Sequence, residues 1–229
     1  SRREDPGAVL FAKDAGDPFE PTTPDLPRGF YWTEGNSGLG WAVDAVPTLK
    51  GGSAIGIPSP PAIWWPETGF IGMPAIEDAE RLQGFRAGTT SVDVEEKSIS
   101  RGDRWRLVGN SVSVPVAKWV GDKLVSRGTH PEVTKSPLNG KWPSAAVSGD
   151  RPGGRRWSVN VSEWPTRPHE VHLDDFLLYE PTSLSARATL GFMRRLKGSG
   201  LNYEKRFLAA LERHAKTQSE SLEIAVARS

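Results

Sequence analysis

Cysteine is absent from the 229 residues. That excludes disulfides, thiolate metal sites and any cysteine nucleophile supplied by this chain alone. No run of about 18 apolar residues occurs, so no membrane-spanning helix is expected. The opening SRREDPGAVLF carries no apolar signal core and starts on Ser rather than Met. Either an internal start within a longer polypeptide or trimming fits this. A large charge of one sign is missing too: the formal net charge is +1. Free-standing nucleic-acid binders usually carry a larger basic excess, because phosphate contacts supply much of their affinity. A small basic face offset by acids elsewhere stays open.

What is present points to a soluble, folded chain of one large or two small domains, with 37% hydrophobic and 25% charged residues. The 24 Gly and 19 Pro fall mostly in the first 165 residues, where loops and short strands are expected. Residues 1–75 read as irregular and β-rich, with GFYWTEG and LGWAVDAVPTL as strands. A helix follows in PAIEDAERLQGF: Pro74 sits in its first turn, Ile76, Ala79 and Leu82 share a face, and Gly84 ends it. Residues 86–104 read as a polar surface loop. Gly109 and Asn110 read as a turn before a helix with Pro115 early and Val112, Val116, Trp119 and Val120 at helical spacing. Residues 126–156 read as a loop or linker, and RRWSVNVSEWP as a strand. Two helices, about 184–197 and 203–216, close the chain, with Asn202 as a candidate cap and a frayed end beyond.

Two segments carry a resemblance. Glu80-Arg81-Leu82-Gln83-Gly84-Phe85 is followed, about 25 residues on, by Arg106-Leu107-Val108-Gly109-Asn110-Ser111-Val112. Their order and spacing are similar to the last two motifs of DNA cytosine-5 methyltransferases, in which a helix bearing R-L-Q-G-F precedes a loop, G-N-S-V and an amphipathic helix. Ala45-Val46-Pro47-Thr48-Leu49-Lys50 resembles the Thr-Leu element of that family's target recognition region. PGAVLF resembles the segment after its Arg-rich eighth motif.

The resemblance implies an α+β fold: a small, irregular, β-rich recognition domain over 1–75, and helices over 74–125 that complete a Rossmann-like, S-adenosylmethionine-dependent methyltransferase domain. A linker over 126–156 and an appended tail over 157–229 with two helices follow. It places Asn110, Ser111 and Val112 against S-adenosylmethionine, at the methionine end. It gives Arg81, Gln83 and Gly84 an internal scaffold role in the recognition region; on the residues alone, contact of Arg81 and Gln83 with DNA phosphate or bases is the other reading. Thr48, Leu49 and Lys50 are the candidates for DNA contact, with Gly51 and Gly52 letting backbone approach a strand. The residues alone also fit plainer readings: a helix-start turn capped by Asn or Ser at 109–111, and a strand end at 48–52. The nine Trp are best read as core, Trp64 and Trp119 among them. His169-Glu170-Val171-His172 lacks the two-residue gap of a zinc helix, so no metal site is expected.

The family's Pro-Cys nucleophile, its Glu-Asn-Val motif, its Gly-rich cofactor loop and its Arg-rich motif are not in this sequence. The expected partners are therefore double-stranded DNA and a catalytic polypeptide carrying Pro-Cys and Glu-Asn-Val. The expected setting is a bacterial restriction–modification system in the cytoplasm, without a membrane. The competing reading is a non-catalytic DNA- or protein-binding module derived from a methyltransferase half. A helix-turn-helix regulator over 184–216 is a third.

Overall fold

The computed structural model describes residues 6–16, 25–52, 59–94, 97–126, 135–138, 140–143, 145–148, 155–162, 164–166 and 171–227. The chain forms two compact units, each built from separated stretches. One comprises 1–20 and 114–170, the other 21–113 and 171–229.

The larger unit is organised by an antiparallel sheet. Its strands are β1 (Arg28–Phe30), β2 (Ala42–Val43), β3 (Ala62–Trp64), β4 (Ile71–Met73) and β10 (Thr182–Ser183), in the order β10-β4-β3-β1-β2. Gly29 pairs with Ile63, and Ile63 with Gly72, in the middle of the sheet. β1 and β3 are buried along their whole length; β3 reads as a short apolar run without alternation, whereas β1 brings in the buried Arg28, paired with Glu204 at 3.3 Å. Helices α6 (Ala186–Lys197) and α7 (Lys205–Ala227) cover the sheet. Phe192, Met193 and Leu196 of α6 and Phe207, Ala210 and Leu211 of α7 recur at helical spacing and join Phe30, Trp64 and Ile71 in one core. The Phe30 ring lies 5.0 Å from both Phe192 and Phe207. Ser185 caps α6 by accepting from the Ala188 N–H at 3.3 Å. Helix α2 (Ile76–Leu82), the hairpin β5 (Asp93–Val94)–β6 (Lys97–Ser98), helix α3 (Arg101–Asn110) and the short α5 (Leu173–Phe176) complete this unit.

The smaller unit holds α1 (Pro6–Leu10), α4 (Val114–Val125) and a three-stranded antiparallel sheet, ordered β7 (Lys135–Pro137), β9 (Arg156–Val159), β8 (Ala146–Ser148). Asp14 ties Ser162 to the start of the chain, accepting from its hydroxyl at 2.5 Å. That bond, with N–H donors from Gly16 and Ser162, holds the Asp14 carboxyl below its ordinary value.

Mixed helix and sheet agrees with α+β. Every strand pair among the described residues is antiparallel. The described residues thus build none of the parallel sheet of a Rossmann-like domain, which needs helical crossovers.

Several expectations are corrected. Within the stretch read as irregular and β-rich, Pro6–Leu10 form helix α1. Residues 86–104 are not one loop: Asp93–Val94 pairs with Lys97–Ser98 as β5 and β6, and α3 starts at Arg101. Residues 126–156 include strands β7, β8 and the start of β9. The compact units also group the chain differently from the four segments: 74–125 divides at 113/114, and 171–229 belongs with the first sheet through β10, α6 and α7. Helix α7 starts at Lys205 and runs to Ala227, so Asn202 is not its cap and helix replaces the frayed end. Trp64 is core at 2% exposure, and Trp119 is half-buried on α4.

Candidate functional site

Helix α2 places two carboxylates in the interior. Asp78 and Glu80 are both fully buried, a costly situation unless each is paired and hydrogen-bonded. Asp78 accepts from Arg81 Nη1 at 2.6 Å and from the N–H groups of Leu178 and Tyr179 at 3.1 and 3.0 Å. Arg81 also donates to the Phe176 carbonyl at 2.5 Å and lies over the Phe176 ring, 4.4 Å from its centroid. Glu80 turns the other way. It accepts from the Gly88 N–H, the Thr90 N–H (2.8 Å), the Thr90 hydroxyl and Arg104 Nη2 (3.1 Å). Arg104 also reaches Glu77 at 3.0 Å. Burial pushes the Glu80 carboxyl up, but the bonds from Thr90, Arg104 and Gly88 outweigh it and hold the group below its ordinary value.

Gly84 ends α2 in the left-handed region, φ +86°. Just before it, Gln83 Nε2 donates to the Val108 carbonyl of α3 at 3.2 Å. The Ser111 N–H and hydroxyl donate to the same oxygen, at 3.2 and 2.6 Å. Beneath these bonds Leu49, Ile76, Ala79, Trp105 and Val108 form an apolar cluster.

Here the expected turn at Gly109-Asn110 is corrected: these are the last two residues of α3. The helix starts early because Ser100 caps it, accepting from the Asp103 N–H at 3.1 Å and donating to the Asp103 carboxylate at 2.7 Å. Gly109 serves a close approach of a different kind. A Cβ on it would overlap the Lys50 carbonyl carbon and the Gly51 nitrogen. The Asn110 amide lies against Gly51, where a Cβ would collide with Asn110 Oδ1. Asn110 is exposed, Ser111 is half-buried, and Val112 is 67% exposed.

Thr48 is exposed, and its carbonyl accepts the Tyr31 hydroxyl at 2.6 Å. Leu49 is buried, and its side chain belongs to the cluster with Trp105. Lys50 bonds Glu34, with its ammonium 3.7 Å from the Tyr31 ring centroid. A phosphate would have to compete with Glu34 for it. Gly51 meets Asn110, leaving Gly52 the more open of the two glycines.

A cleft of about 370 Å³ runs beside this cluster, lined by Thr48, Leu82, Gln83, Leu173 and Phe176 among others. At its edge Asp44 adopts φ +51°. Its carboxylate accepts the Leu173 N–H at 2.8 Å and pairs with His172 Nδ1 at 2.7 Å. That bond and the Asp44 charge raise the His172 pKa above its ordinary value. A histidine raised on folding stabilises fully below its unfolded pKa of about 6.5 and loses the contribution as pH climbs through the folded value. The denaturant midpoint of the wild type should exceed that of His172→Gln at pH 5.5, and the gap should narrow by pH 9. A constant gap would show the pair to be irrelevant to stability. His169 and Glu170 lie outside the described residues. Among the described residues no group of three or more His, Cys, Asp or Glu could hold a metal, and no helix is long and apolar enough to cross a membrane.

Sequence reasoning missed Glu80–Arg104, because a pair 24 positions apart leaves no local signature and Arg104 fell in a presumed loop.

Compared with curated proteins, an alignment of 218 positions that covers 92% of the chain is 42% identical to the Type II methyltransferase M2.BsuMI of Bacillus subtilis (strain 168). The chain is similar to a methyltransferase. It spans about half of that relative's length, 55%. The aligned stretch takes in nearly all of this methyltransferase-like chain, so both motif segments and residues of both units fall within it. No family model and no solved structure matches the chain.

Proposed function

We propose that this chain is the target-recognition and cofactor-completing portion of a Type II DNA cytosine-5 methyltransferase of the restriction–modification kind. One observation carries the reading. Three segments picked out separately in the sequence, 48–51, 81–84 and 108–111, meet in one packed cluster, through the Gln83 bond to Val108, Leu49 beneath Trp105, and Gly109 on the Lys50–Gly51 backbone. The similarity to a Type II methyltransferase over 92% of the chain supports it.

In this reading Asn110, Ser111 and Val112 face S-adenosylmethionine, which supplies an electrophilic methyl group when bound. The residues fit that ligand. The carboxy-terminal end of α3 favours positive charge, the exposed Asn110 offers donor and acceptor, and the exposed Val112 offers apolar surface. Thr48 and Lys50 face DNA, while Arg81, Gln83 and Gly84 hold the cluster in shape. The nucleophilic thiolate and the group that holds the cytosine ring come from a portion carrying Pro-Cys and Glu-Asn-Val, since this chain has no cysteine. That portion would contribute the Rossmann-like sheet.

The test is reconstitution. The chain, combined with a folded polypeptide bearing those motifs, should transfer labelled methyl to duplex DNA as 5-methylcytosine. Asn110→Ala should raise KM for S-adenosylmethionine and lower kcat/KM roughly tenfold, about the loss of one hydrogen bond to a charged group. No transfer with both parts folded, or methyl found on adenine, would overturn the proposal. The zero cysteine count also favours a second reading, a non-catalytic DNA- or protein-binding module. Duplex binding without methyl transfer in any such mixture would select it.

A further inference from the structure

The small sheet of the second unit has a surface that the proposed roles leave unused. Residues 135–161 contain five basic residues, Lys135, Lys141, Arg151, Arg155 and Arg156, and one acidic residue, Asp150, in a chain of net charge +1. The remainder of the chain is therefore net acidic, and the positive charge is concentrated here. Lys135, Lys141, Arg155 and Arg156 are all exposed, and none forms a salt bridge among the described residues.

The sheet gives that charge a shape. Side chains alternate along β9. Val159 is buried, which sets Val159 and Trp157 on the inner face and Arg156 and Ser158 on the outer one. Ser158 pairs with Ser136 on one side and Ala146 on the other, so the outer face is floored by small side chains. Arg156 stands at its end, 5.5 Å from the ring centroid of Trp142, which is itself 55% exposed. A guanidinium held over an aromatic ring keeps its edge N–H groups free for oxygen acceptors. Lys141 adjoins Trp142, and Arg155, just before the strand, adjoins Arg156; Lys135 pairs with Val159 and so projects from the other face.

From these features we infer that the outer face of the 135–159 sheet is a phosphate-backbone contact surface for double-stranded DNA, additional to Thr48 and Lys50. The partner named rests on the methyltransferase reading. Exposed cations without a salt bridge among the described residues, a floor of small side chains and an arginine set over tryptophan match a polyanion that must approach closely. This surface positions the duplex and reads no bases.

The test measures binding of the full chain to a fluorescein-labelled duplex across a salt series. Replacing Lys141, Arg155 and Arg156 together by alanine should weaken binding about tenfold or more. It should also flatten the slope of log K against log salt by about 2 to 3, close to 0.9 per lost phosphate contact. Trp142→Ala should weaken binding by less, and Trp142→Phe should restore it. If the triple variant is misfolded by circular dichroism, Lys141→Glu alone, at an exposed position, should still weaken binding and flatten the slope. An unchanged affinity and slope in the folded variants, or no duplex binding by the wild type at low salt, would overturn the inference. Methyl transfer by the reconstituted enzyme separates this from the function. Transfer that persists with an unchanged KM for DNA in the variants removes only this surface, whereas no transfer by the wild type removes the methyltransferase reading.

Discussion

Arg104→Ala should destabilise the chain by about 3 kcal/mol, the usual scale for removing one partner of a buried ion pair. Glu80 has no exposure of its own, and the Arg104 side chain is only 14% exposed. Without the guanidinium the carboxylate keeps its bonds to Gly88 and Thr90 but loses its only charged partner among the described residues. Urea unfolding should show a lower midpoint at neutral pH. Acid unfolding supplies a second reading. A carboxyl held low in the folded state stabilises above its unfolded pKa, about 4.3, and loses that contribution as pH falls through the folded value. Removing Arg104 lets the Glu80 carboxyl rise, so acid unfolding of the variant should begin at higher pH. An unchanged acid transition would show that the bonds from Thr90 and Gly88 suffice alone.

Gly109→Ala should be strongly damaging for so small a substitution. Alanine ordinarily gains about 1 kcal/mol over glycine within a helix. Here its Cβ would enter the Lys50–Gly51 backbone, which cannot rotate aside as a side chain can. The strain of such overpacking, about 1 to 3 kcal/mol, exceeds the gain. Gly121 of α4 is the control: nothing lies within 4 Å of a Cβ there, so Gly121→Ala should be neutral or stabilising. Displacing 50–51 also displaces the Asn110 amide that rests on it. In the reconstituted enzyme Gly109→Ala should therefore reduce methyl transfer by about a hundredfold, the cost of misplacing a group by about 1 Å. Full activity with normal stability would mean that the 50–51 backbone and α3 can separate freely, and that the cluster has no part in positioning.

How far the sequence disclosed these features depends on the kind of signal. Helices α2 and α6 were legible because Ile76, Ala79 and Leu82, or Phe192, Met193 and Leu196, repeat at helical spacing and a glycine stops each helix. Helix α3 was misread because only Trp105 and Val108 are buried along its ten residues, too few to set a period. Its real marker was the Ser100–Asp103 cap, a hydrogen-bond signal and not a hydrophobic one. Residues 216–224 of α7 carry helix formers and no buried side chain, and so looked like part of a frayed end. Strands β7 and β8 lie among prolines and glycines that conceal short antiparallel pairing. At the site, the motif segments announced which residues matter. They could not announce that Leu49 would face inward, or that Gly109 would face Lys50, because those are contacts between distant stretches.

The first sheet draws one of its edge strands and its covering helices from residues beyond 180, while its central strands end at Met73. Phe30 and Trp64 therefore have no shelter until Phe192 and Phe207 have left the ribosome. During synthesis the early half is an aggregation hazard awaiting its lid, and non-local closure of this kind is slow. Any expression fragment ending before about residue 215 would leave that aromatic sheet bare, which sets a lower limit on where this protein can be cut.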